Sequence, residues 1–171
     1  MSELFFHPKV VHIPIALSVL MPLVTGGLLL AWWRGWLPKR TWWVAVALQA
    51  TLVVSAFVAI DTGGDQEERV EKVLPDKYIE AHEEAADVFT GGAIGALLIA
   101  GAALFLKGRK GAAAAIVATV GTVVVLGLGY VVGQRGGALV YEHGAANAYI
   151  TNGANAGAGA GVPAAEHDDD D

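Results

Sequence analysis

The sequence has no cysteine among its 171 residues. That absence excludes disulfides, thiolate-held iron–sulfur clusters and covalent c-type haem attachment. A metal or haem would have to be held by His, Asp, Glu, Met or backbone groups. Charge is scarce as well: 16% of residues are charged, 54% are hydrophobic, and mean hydropathy is +0.50. Soluble domains of this size are usually less apolar. No nucleophile–base pair stands out. The "TGG" triplets at 62–64 and 90–92 lack the context of a phosphate or dinucleotide loop, so an enzyme is not expected. A formal net charge of −6 argues against nucleic acid as a partner.

What the chain has in quantity is long apolar runs. Segments 12–33, 41–60, 89–106 and 112–133 approach or exceed the length of about 20 residues that a spanning helix needs. The third is extended at its start by a polar helical lead-in. The expectation is an all-α, polytopic four-helix membrane bundle over 1–147, with helices at about 8–33, 41–60, 77–106 and 112–143. A flexible acidic tail rich in Gly and Ala follows over 148–171. The start lacks a cationic n-region and a nearby cleavage motif, so Met1 is expected to be the true start and helix one to be retained.

Charge distribution gives the orientation. Arg34, Lys39 and Arg40 follow the first helix, Lys107, Arg109 and Lys110 follow the third, and neither link holds an acid. Short cytoplasmic loops carry the Lys/Arg excess. Both termini and the 61–88 loop are therefore expected outside, in the periplasm of a bacterial inner membrane. Trp32, Trp33, Trp36, Trp42 and Trp43 are expected to form an indole belt at the inner interface.

Within the chain, Pro14 leaves the Val10 carbonyl without its helical donor and predicts a bend. Gly63 and Gly64 predict the end of helix two, with 66–73 as a short amphipathic helix on the outer leaflet and Asp76 as the N-cap of helix three. Gly129, Gly133 and Gly137 form a GxxxGxxxG stripe, a pattern that lets another backbone or a flat cofactor approach closely.

The five histidines, His7, His12, His82, His143 and His167, all fall on the expected outer side. His7 and His12 are five residues apart, about 140° around a helix, so they face different neighbours rather than one ion. His12 with His82 is the leading pair for haem iron, with His7 and His143 as a second pair or as support. Bis-imidazole haem needs two axial rings from separate helices, which a four-helix bundle provides. Copper or zinc would need three or four N/O ligands. Glu83 and Glu142 sit beside His82 and His143 and are placed to support a neighbour's ring. Alternatively the imidazoles bind nothing and hold the helix ends together.

"HPKVVHIPIAL", "IEAHEEAADVF" and "ALVYEHGA" together resemble the bacterial membrane family catalogued as domain of unknown function 2231, over roughly residues 5–147. The matching positions are His7, Pro8, His12 and Pro14, then His82, then Val140, Tyr141, His143 and Gly144. The resemblance implies a multi-pass membrane protein. Relatives joined to cytochrome c or Rieske-type domains imply haem and electron transfer.

Three expectations follow. The first is a b-type haem protein that transfers electrons at the outer face, with a periplasmic redox partner. The second is an accessory subunit of a respiratory or photosynthetic membrane complex. The third is an external Cu or Zn site.

Overall fold

The computed structural model describes residues 6–148, and all regular structure among them is helical. The expected acidic tail from 149 onward and His167 lie outside the described residues. A short α1 (Phe6–Val10) leads into α2 (His12–Trp33), and a 3-10 turn at Lys39–Trp42 opens α3 (Trp43–Val70). The last two helices are α4 (Asp76–Phe105) and α5 (Gly108–Tyr141). Helices α2 to α5 are all long and apolar enough to cross a membrane. Each packs on its sequence neighbour, and α5 closes the ring on α2, which makes an up-and-down bundle. Partners step in opposite directions along adjacent helices: the Trp42 indole N–H donates to the Ala100 carbonyl, and the Gln49 amide donates to the Ala93 carbonyl. The start of α1, the end of α5 and the α3–α4 connection lie at one end. The other two links lie at the opposite end.

The helix boundaries have local causes. Val11 separates α1 from α2 because Pro14 has no N–H for the Val10 carbonyl, as its position predicts. α2 ends in a Schellman motif: Gly35 adopts φ 72°, its N–H bonds the Trp32 carbonyl, and Trp36 N–H bonds the Ala31 carbonyl. Gly108, at φ 57°, starts α5 almost directly after α4, four residues before the expected position. Lys39 Nζ reaches across from the other link and caps the Leu104 and Leu106 carbonyls at the end of α4.

Two expectations are corrected. Helix α3 does not stop at Gly63 and Gly64 but continues to Val70, so 66–73 is no separate surface helix. Glycine in a helix interior costs only about 1 kcal/mol relative to alanine, which tertiary contacts readily offset. Asp76 is the first residue of α4, and the extended Pro75 occupies the cap position.

The α4–α5 seam is made mostly of small side chains. Ala93, Ala96, Ala100 and Ala103 of α4 meet Gly111, Ala115, Ala118, Thr122 and Val125 of α5, both at heptad-like spacing. In lipid, close backbone approach replaces the hydrophobic effect as the source of helix affinity. The glycine stripe contributes only at one point. A Cβ at Gly129 would press on Phe89 and Ser18, whereas at Gly133 or Gly137 it would meet nothing within 4 Å. A four-residue spacing advances about 40° per step beyond a full turn, which carries the later glycines off the contact face. Large apolar side chains such as Leu23, Val54, Phe57, Leu98 and Val124 are exposed around the bundle. Such a belt is what a lipid-facing surface requires.

Candidate functional site at the histidine end

The end that carries α1 and the α3–α4 connection holds all four described histidines. His7 rises from α1 against α3. Its ring lies over Gly63, where an added Cβ would come within 3.3 Å of Cε1. The Ala59 carbonyl, one turn earlier on α3, is a hydrogen-bond partner of the ring. His7 Nδ1 is also 3.1 Å from Thr62 Oγ1. Thr62 uses its single hydroxyl hydrogen on the Val58 carbonyl at 2.8 Å, so it accepts from His7 Nδ1–H.

His82 repeats the arrangement between α4 and α5. Its ring lies over Gly136, where an added Cβ would come within 3.0 Å of Cε1, and the Val132 carbonyl one turn earlier is its hydrogen-bond partner. Its Nδ1 is buried and has no hydrogen-bond partner. In both places a glycine clears the helix surface, and the carbonyl four residues before it lies near the ring. Of the two rings, His82 is the one with a buried nitrogen that has no hydrogen-bond partner.

The two rings are near enough for the charge of His7 to be felt at His82, and Arg135 is also within reach of that ring. Arg135 donates to the Ala81 carbonyl and lies 3.9 Å from Glu84. That pair is exposed and contributes little to stability.

The other expected residues are placed differently. His12 is exposed at the start of α2. Helix α5 stops at Tyr141, and Gly144 at φ 78° turns the chain back so that Ala145 N–H reaches the Leu139 carbonyl. His143 then stacks on Tyr78, with centroids 3.7 Å apart and planes at 19°. Tyr78 lies one turn from His82 on the same face of α4. Glu83 faces the carboxylates of Glu67, Asp87 and Glu80, and Glu142 is exposed. Among the described residues no group of three or more His, Cys, Asp and Glu side chains is arranged to hold a metal ion.

Sequence reasoning named the four imidazoles but not Gly136, Thr62 or Tyr78, and read Gly63 only as the end of helix two. One signal was available. Ala59–Gly63 and Val132–Gly136 each place a glycine four residues after a small or branched residue, at the histidine end of a helix.

Burial is the main influence on His7 and holds its imidazole below its usual protonation range; the Ala59 carbonyl offsets part of this. The folded state then binds fewer protons than the unfolded chain, so stability falls as pH drops below the ordinary imidazole value of about 6.5. The contact is whole above that pH. Between about pH 7 and pH 5, amide protection in α1, taken relative to the intrinsic exchange rate at each pH, is expected to fall several-fold. His7→Gln, which does not titrate, is expected to flatten that response.

Four apolar helices in an up-and-down ring, with an exposed apolar belt, define a polytopic α-helical membrane protein. The model of the predicted membrane protein family known as domain of unknown function 2231 matches residues 4–149, and the chain belongs to that family. No curated protein and no solved structure matches the chain.

Proposed function

We propose that the protein is a b-type haem membrane protein that transfers electrons at its histidine end, with His7 and His82 as the axial pair. The observation that carries this reading is the buried Nδ1 of His82, which has no hydrogen-bond partner, on a ring close enough to His7 to feel its charge. A buried polar nitrogen without a partner calls for a ligand or water. Haem asks for only two imidazoles, whereas zinc asks for three or four ligands. His7 and His82 come from separate helices and belong to separate halves of the bundle, α1 with α3 and α4 with α5. When bound, haem supplies a one-electron iron couple. The protein's part is to hold the two rings in their glycine notches and exclude water. Arg135 adds positive charge beside His82, suited to an acidic cofactor edge.

The basic links favour a cytoplasmic position for the opposite end, which puts the histidine end in the periplasm and its redox partner there. A second reading is a non-catalytic accessory subunit of a larger membrane complex. What favours it is that three imidazoles already join helices: His7 to α3, His82 to α5 and His143 to Tyr78.

The test is haem content. Purified from cells grown with a haem supply, the protein is expected to carry about one haem per chain by pyridine haemochrome assay, since one bis-imidazole pair holds one iron. A protein that purifies and reconstitutes without haem supports the accessory reading instead.

A further inference from the structure

The two links at the opposite end are separate in sequence, and the fold draws them together. Lys39 Nζ bonds the Leu104 carbonyl at 2.9 Å and also the Leu106 carbonyl. It would lie 3.3 Å from a Cβ added at Gly111 of α5. One end of the bundle therefore carries Arg34 and Arg40 from the first link beside Lys107, Arg109 and Lys110 from the second. All five are exposed, and neither link has an acid to neutralise them.

Their placement is not explained by helix stability. Arg109 and Lys110 occupy the first turn of α5, which holds no acid, and cations at a helix N-terminus oppose its dipole. Lys39 already caps α4, so the other five serve no comparable role there. Around them the surface is apolar and aromatic. Trp33, Trp36, Trp43 and Phe105 are all more than half exposed, and Arg34 lies 5.8 Å over the Trp36 ring. A free anion would use the cations alone. A phospholipid uses both, with its phosphate on the cations and its glycerol and acyl region against the rings.

We propose that the end formed by the two basic links is a binding surface for anionic phospholipid headgroups, with Arg40, Lys107, Arg109 and Lys110 as phosphate contacts. This goes beyond orientation, since the convergence of the two links makes one surface rather than two topology signals. It is independent of the haem reading.

The test is lipid retention by the full chain, delipidated in neutral detergent and offered phosphatidylglycerol or phosphatidylcholine, with bound lipid counted by native mass spectrometry. Wild type is expected to favour phosphatidylglycerol about tenfold, and Arg109→Gln/Lys110→Gln to bring the ratio close to parity, given the contribution of each surface cation. Lys72→Gln, at the other end, is expected to keep the wild-type ratio. Equal retention of both lipids by wild type would overturn the proposal. So would an unchanged ratio in the double variant, a loss in Lys72→Gln equal to that in the double variant, or displacement of the lipid by inorganic phosphate, which would mark a free-anion site. If the double variant fails to insert, Arg40→Gln is read in the same assay. A several-fold drop is expected, and a wild-type ratio overturns the proposal.

Discussion

Gly136→Val is expected to destabilise the bundle by about 2–3 kcal/mol, combining overpacking at a tight contact with the loss of a buried hydrogen bond. An added Cβ would stand 3.0 Å from Cε1 of His82 and 3.4 Å from Nδ1, and valine adds two methyl groups to it. The ring cannot retreat while keeping the Val132 carbonyl as its partner. Either α4 shifts away from α5, which strains the alanine seam below, or the imidazole swings out. Gly133→Val is the matched control, because a Cβ there meets nothing within 4 Å. Denaturation in SDS followed by circular dichroism separates the two. Equal midpoints for the two variants would mean that the notch does not exist.

Trp42→Ala is expected to have the largest effect of any single truncation, about 3 kcal/mol. That lies at the low end of the range for large aromatic truncations in soluble cores. In lipid the transfer part of that range largely disappears, because the unfolded side chain also sits in hydrocarbon, but the cavity part remains. Trp42 is 2% exposed and donates its indole N–H to the Ala100 carbonyl at 3.0 Å. It packs among Ala45, Ala100, Ala103, Ala115 and Ala118, residues too small to close the hole. Trp33 is 83% exposed, so Trp33→Ala is expected to shift stability by less than about 0.5 kcal/mol. If the two alanine variants unfold together, Trp42 belongs to the interfacial belt after all.

That contrast shows what the sequence could and could not reveal. Four spans and the grouping of the four described histidines at one end were legible, because they depend on length, hydropathy and position along the chain, which are additive. The five tryptophans read as one belt for the same reason: all fall at the right depth. Depth does not give azimuth. Trp42 and Trp43 differ by about 100° around the helix axis, and that rotation puts one in the core and the other on the surface.

The histidines follow the same logic. The sequence put His7, His12, His82 and His143 on one side and favoured His12 as the partner of His82. The interruption at Val11 separates α1 from α2, and His7 leans on α3 while His12 is exposed. The notches were hidden for another reason. Gly63 reads locally as a helix breaker, and its role depends on an imidazole 56 positions earlier in the chain. Gly136 lies beside the conspicuous glycine stripe but on the contact face.

Absorption spectra of haem-loaded wild type and single-histidine variants test the central claim most directly. Wild type is expected to show a Soret band and, on reduction, the sharp α and β bands of a six-coordinate bis-imidazole haem. His7→Ala and His82→Ala are each expected to lose that pattern, while His12→Ala and His143→Ala keep it. Loss in His12→Ala with retention in His7→Ala, or an unchanged spectrum in His82→Ala, would contradict the assignment of His7 and His82 as the ligand pair.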